Sequence, residues 1–287
     1  MNLGHTDAPL AEEAASKATA DIEPPKSHMV VILTAALRTV WDRLGLLLAV
    51  SVTWAAMVSL PLSIERGLPR SAAPALHVLC LALIPLLAAL PTAGTFALVH
   101  RFASFEETLY VHLWQDGAAL FGTALRLMLL QTGVVAALVT AMTFYAGLTL
   151  WIGRAGVTVA GYGLLLWAMM SIYQWPLLIA QEKGLFDEPG KPARRGAFAA
   201  VRRSFYLTLG RPFFTAGLLA ILLLASAVMA VTVVLPALLW IGAVAVVSTL
   251  ACRALLIEFR ALTAPVRREP VPDLQFRIAD RRSPPEG

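Results

Sequence analysis

PFFTAGLLAILLLASAVMAVTVVLPALLWIGAVAVVSTLAC, residues 212–252, runs for 41 residues without Asp, Glu, Lys, Arg or His. A soluble core has no use for so long an uncharged stretch, whereas about 20 apolar residues suffice for a helix to cross a hydrocarbon layer about 30 Å thick. Every backbone group must then be satisfied within the helix, because lipid offers no hydrogen bonds. The stretch therefore holds either two short spans or one span and a re-entrant segment. Pro236 favours two, since it has no backbone donor to continue a helix and sets a turn near Leu235.

Outward from this stretch the chain keeps the same character. Of its 287 residues, 58% are hydrophobic and 14% charged, against about 25% charged in soluble domains, and the mean hydropathy is +0.72. Six charge-free runs are long enough to span: Leu44 to Ile64, Ala72 to Val99, Leu127 to Ile152, Ala155 to Ala180, Pro212 to Val234 and Pro236 to Cys252. The expected fold is all-α, a polytopic membrane protein of about six transmembrane helices. Residues 29–260 make the transmembrane domain. Residues 1–28, rich in Ala, Pro and acids with no apolar core of a signal peptide, and residues 261–287, with PVRREPVP and RRSPPEG, read as disordered cytosolic tails.

Three further segments are too short or too polar to cross and have the mixed composition of helices lying in the interface. They are MVVILTAALRTVWDR (29–43), FEETLYVHLWQDGAALFGTALR (105–126) and KPARRGAFAAVRRSFYLTLGRPFF (191–214). AAL, five residues, then RLxLL occurs at Ala35 to Leu47 and again at Ala118 to Leu130; a looser AAV followed by Arg211 begins at Ala199. These starts suggest three hairpin repeats, each an interfacial helix followed by two spans.

Charge gives the orientation. With six spans, 20 of the 23 Lys and Arg fall on the side of the termini and only Arg66, Arg70 and Arg154 on the other. Basic residues near span ends are retained in the cytosol, so both termini are expected there. The basic segment 191–214 is explained as a determinant of topology. With Phe198, Val201, Phe205 and Leu209 toward acyl chains, Arg194, Arg195, Arg202 and Arg203 are placed to contact anionic lipid headgroups. The net charge of +5 does not indicate nucleic acid, because no soluble stretch is long enough to carry a basic face.

Chemistry is sparse in this sequence. The spans contain no Asp, Glu, Lys or Arg of the kind that ion-coupled transport uses. Their polar residues are Gln131, Thr132, Thr140, Thr143, Tyr162, Tyr173 and Gln174, of which Gln131 and Gln174 are the intramembrane polar sites, read as interhelical hydrogen-bond formers. His77 and Cys80 share a helical face, but a metal needs three or four donors, and no cofactor or metal is expected. His100 and His112 fall at interfaces. Cys80 and Cys252 are expected as packed thiols. QDGAALFGTALR (115–126) begins like the Asp-Gly signature of CDP-alcohol phosphotransferases but lacks its later carboxylates. FAAVRRSFYLTLGRPF (198–213) lacks the acid of the permease loop that docks on an ATPase.

Trp54 with Ser59-Leu60-Pro61, PTAGTFALVHRF (91–102), YQWPLLIAQ (173–181) and RRSFYLTLGRPFFT (202–215) resemble the pattern of the YesL-like bacterial membrane proteins over residues 38–260. The resemblance implies a bacterial cytoplasmic membrane and an accessory role beside carbohydrate uptake, with a membrane transporter complex as partner; it carries over no catalytic or binding residue. Nineteen Arg against four Lys suits a GC-rich bacterial genome. The leading expectation is a non-catalytic accessory or assembly protein embedded in the lipid bilayer. A small transporter or permease subunit comes second and an intramembrane enzyme third.

Overall fold

The computed structural model describes residues 29–69, 74–104, 106, 108–148, 151–186, 195–232 and 235–263. Among these are eight helices and no strand: α1 Met29–Asp42, α2 Leu44–Gly67, α3 Pro74–Ala103, α4 Val111–Ala146, α5 Trp151–Glu182, α6 Ala197–Gly210, α7 Pro212–Thr232 and α8 Leu235–Thr263. The chain is an all-α polytopic membrane protein. Among the described residues five helices are long and apolar enough to cross a bilayer, namely Leu44–Gly67, Ala75–Ala103, Val111–Ala146, Trp151–Glu182 and Leu239–Phe259, and α6 with Pro212–Val228 of α7 makes a sixth candidate bent by 104°. The contacts divide the chain into Pro25–Leu256 and a second unit of Met1–Pro24 with Ile257–Gly287. Of that second unit the described residues are only 257–263, the end of α8. The expected tail 1–28 lies outside the described residues, as do residues 264–287 of the expected tail 261–287; residues 261–263 belong instead to the end of α8, whose helix runs on past the last apolar run.

The 212–252 stretch does form two helices, and Pro236 is the second residue of α8, where a missing N–H costs nothing. The middle of the chain departs from expectation. The segment 105–126 is not a separate interfacial helix, because Val111 to Ala146 is one helix of 36 residues, about 54 Å long at 1.5 Å per residue. Its reach beyond the hydrocarbon core holds the polar turns that the sequence suggested would lie flat. The span also ends at Ala146, not Ile152, and α5 begins at Trp151. Two glycines close this hairpin. A β-carbon on Gly153 would lie 2.4 Å from the Leu148 carbonyl oxygen, and one on Gly156 2.4 Å from the Tyr145 ring.

At both ends of the chain the element order is a short helix followed by two longer ones, α1–α3 and α6–α8, but α7 counts toward a span only together with α6. The equivalent arginines explain why the middle differs. Arg43 and Arg211 sit at helix breaks with non-helical backbone, and Arg211 precedes Pro212, which disfavours α geometry in the residue before it. Arg126 is followed by Leu-Met-Leu-Leu, which continues the helix.

The interior is organised around α3 and α5. Every residue from Pro91 to His100 and from Ile172 to Gln181 is buried, and these are two of the segments that carried the family resemblance. α4 crosses α3 where glycines remove the side chains: a β-carbon on Gly117 would be 2.8 Å from the Leu90 carbonyl oxygen and 3.5 Å from the Gly94 Cα. Small residues allow such close approach between helices in lipid. One turn away, Arg101 Nε and Nη2 donate to Asp116 Oδ2 and Oδ1 at 2.7 and 3.0 Å. The Asp116-Gly117 pair is thus a packing and ion-pair device. α8 joins through Gly242, whose N–H donates to Ser51 Oγ at 3.3 Å and whose missing β-carbon leaves room for Leu47.

The charged ends gather together. Arg43 lies over the Phe102 ring at 5.6 Å, and Arg253 donates to the Ala103 carbonyl and to Ser104 Oγ, neutralising the C-terminal end of α3. At the other end His77 Nδ1 approaches Glu65 Oε1 at 3.5 Å, tying the last turns of α2 to the first of α3.

Candidate functional site

Five helices leave a cleft of about 730 Å³ between them. Helical spacing builds its walls. α5 presents Trp167, Ser171 and Trp175, each four residues apart, and α4 presents Gln131, Val135 and Val139 in the same rhythm. α3 adds Thr92 and Phe96, α2 adds Trp54, and α8 closes the remaining side with Ile241, Val244 and Ser248. The wall is aromatic, aliphatic, hydroxyl and amide in character. On the α4 side it is open, since Thr132, Val135, Ala136 and Val139 are exposed and would face acyl chains.

The polar groups of the wall are bonded in a defined sequence. Trp175 Nε1 donates to Gln131 Oε1 at 3.2 Å, and Gln131 Nε2 donates to Gln174 Oε1 at 2.7 Å. An indole N–H can only donate, so Trp175 fixes the Gln131 oxygen toward itself and the Gln131 nitrogen toward Gln174. The Gln174 nitrogen is left buried with no hydrogen-bond partner among the described residues, and so is the Trp167 indole nitrogen. Across the cleft, Trp54 Nε1 donates to Thr92 Oγ1 at 2.9 Å. That hydroxyl in turn donates to the Ala88 carbonyl at 2.6 Å. Phe96 stacks on Trp175 with centroids 5.8 Å apart and planes 13° from parallel.

The structure thus brings Gln131 and Gln174 together in one network, with Thr132 beside them in the wall. The other polar residues go elsewhere. The Thr143 hydroxyl bonds back to the Thr140 carbonyl at 2.9 Å, Tyr162 is exposed, and the Tyr173 hydroxyl meets Thr215 Oγ1 at 3.0 Å, joining α5 to the start of α7. Cys80 and Cys252 are both buried free thiols. His100 is buried, while His112 Nδ1 accepts from the Leu109 N–H at 3.1 Å. The tryptophans are the part that sequence reasoning missed. A sequence reading that counts tryptophan as apolar passes over Trp54, Trp167 and Trp175 as hydrogen-bond donors, although they are three of the eight polar side chains that line the cleft.

The second predicted site lies on α6. Gly196, at φ +113°, makes the turn into it, a conformation a side chain would strain. Ala197, Ala200, Ser204, Leu207 and Thr208 face the protein, and Phe198, Phe205, Tyr206 and Leu209 are exposed. Helical spacing would put Ala197 on the arc of Phe198, Val201, Phe205 and Leu209, but it packs inward. Arg194 lies outside the described residues. Arg195 and Arg202 are exposed, the latter over the Tyr206 ring at 5.8 Å. Arg203 instead turns back onto the Phe186 ring at 4.1 Å. In the amide orientation that satisfies both its ends, Gln181 accepts from Arg203 Nη1 at 3.2 Å and from the Ala200 N–H at 3.1 Å. Arg203 thus ties α6 to the end of α5.

Comparison of the chain with protein-family models, with curated proteins and with solved structures gives no match.

Proposed function

We propose that the chain is a multi-pass protein of the bacterial inner membrane, with both termini cytosolic, that acts as a non-catalytic accessory or assembly partner in carbohydrate uptake. The observation that carries this reading is the composition of the polar network in the cleft: amides, hydroxyls and indoles bonded from helix to helix. Such groups hold helices, a ligand or a partner's span by contact and hydrogen bonding. The gathering of Arg43, Arg101 and Arg253 at one end of the bundle agrees with a cytosolic face for that end. The resemblance to YesL-like proteins supplies the link to carbohydrate uptake.

Affinity purification of the full chain from its native membranes, followed by mass spectrometry, tests the role. A sugar-transport component recovered in near-stoichiometric amount is the expected result, and a preparation free of any transport component overturns it. The cleft also favours a second reading, a small transporter or permease subunit. Substrate-dependent sugar flux by the chain alone in proteoliposomes would replace the first reading with the second.

A further inference from the structure

We infer that the cleft between α2, α3, α4, α5 and α8 is a binding site for one neutral, carbonyl-bearing lipid, entered sideways from the bilayer past α4. The volume of about 730 Å³ lies within the range of about 300–1,000 Å³ typical of small-molecule sites. The wall selects against charge, because an ionised headgroup would be buried among Trp167, Trp175, Phe96 and Val135 with no counter-charge. It selects for hydrocarbon by offering aromatic faces that pack on an extended apolar body.

The hydrogen-bond inventory then chooses the polar atom. Each amide oxygen already accepts one bond, that of Gln131 from Trp175 and that of Gln174 from Gln131. Two buried donors have no partner among the described residues: the indole N–H of Trp167, a side chain that lines the wall, and the amide nitrogen of the wholly buried Gln174 behind Gln131. A buried donor without a partner is costly. A ligand that brings acceptors relieves it, and a carbonyl does so without adding a further proton that would need a partner in turn. The matching chemistry is a carbonyl on an apolar body, as in the ester of a neutral diacyl lipid or in an isoprenoid quinone. The site is independent of whether the chain has a protein partner, so it is tested on the purified full chain.

The full chain in detergent is titrated separately with dioleoylglycerol, with its dialkyl ether analogue that lacks the carbonyls, and with decylubiquinone. Binding is followed by equilibrium retention and by the shift in thermal unfolding midpoint. Saturable binding of about one dioleoylglycerol per chain, with the ether analogue at least about tenfold weaker, identifies a bilayer lipid as the occupant. Saturable binding of the quinone alone identifies the second source. Trp167→Phe, which keeps the ring and removes the N–H, weakens the bound species about tenfold, and Ala136→Trp at the open side blocks it. Equal affinity for the ester and ether lipids without quinone binding, no saturable binding of either carbonyl ligand, or unchanged affinity in a folded Trp167→Phe overturns the inference. Should Trp167→Phe not fold, the ester-to-ether comparison on the wild-type chain decides alone.

Discussion

Gly94 on α3 and Gly117 on α4 face each other at a crossing with no room for a side chain. A β-carbon on Gly94 would stand 2.2 Å from the Leu113 carbonyl oxygen, and because that atom is backbone, only movement of a whole helix relieves the clash. Gly94→Ala is expected to lower stability by about 1–3 kcal/mol, the usual cost of overpacking, read as a lower thermal unfolding midpoint in detergent. Gly122→Ala is the control, since nothing lies within 4 Å of its added carbon, and Ala is the better helix former. Equal midpoints for the two variants would show that the helices do not meet at Gly94.

The amide pair gives an ordered prediction. Gln131→Leu strands two partners, the Trp175 N–H and the Gln174 oxygen, while Gln174→Leu strands only the Gln131 nitrogen and removes an unpaired nitrogen of its own. Hydrogen bonds between membrane helices average about 0.6 kcal/mol and reach about 1.7. Gln131→Leu should therefore destabilise the protein more than Gln174→Leu does, in unfolding or in resistance to proteolysis. The reverse order would mean that the amides are not oriented by Trp175. Loss of a sugar flux with stability unchanged would instead move the chain to the transporter reading.

Much of this architecture was legible because lipid imposes a length and a charge rule that a sequence displays openly. Six runs, the two-helix reading of 212–252 and the role of Pro236 all follow from apolar length and a missing N–H. The 105–126 segment was not legible in the same way. Its charges suggested a helix lying flat, but Asp116 finds Arg101 and Gly117 finds Gly94, contacts with a neighbouring helix that hold the segment upright as the start of α4. The cleft was half legible: Gln131 and Gln174 were visible as polar residues in apolar runs, but their pairing across 43 residues is a fact of helix packing. Arg203 failed differently, for in the sequence it stands beside Arg202, and the positions of Phe186 and Gln181 separate the two.

The topology is open to direct measurement. Activity reporters fused after Leu68 and Leu148 should report the outer side, and those fused after Ser104 and Phe186 the cytosol, because these points alternate between the two ends of the bundle. An outer-side signal after Phe186 would invert the proposed orientation. A cytosolic signal after Leu148 would remove the α4–α5 hairpin from the membrane altogether.

The arginines on and just before α6 should separate into two classes when the full chain is placed in nanodiscs. Arg195, just before α6, and Arg202, over the Tyr206 ring, are exposed, and a basic residue near an anionic leaflet contributes about 1 kcal/mol at most. Arg195→Gln with Arg202→Gln should therefore reduce the stabilisation that anionic lipid confers over neutral lipid, and the difference should shrink further as salt rises. Arg203→Gln removes the contact with the Phe186 ring, worth about 0.5–2 kcal/mol, and the bond to Gln181. Its cost should be equal in neutral and anionic nanodiscs, because its partners belong to the protein. A cost for Arg203→Gln that appears only with anionic lipid would return that residue to the headgroups, and no lipid dependence for the Arg195 and Arg202 pair would leave those charges to topology alone.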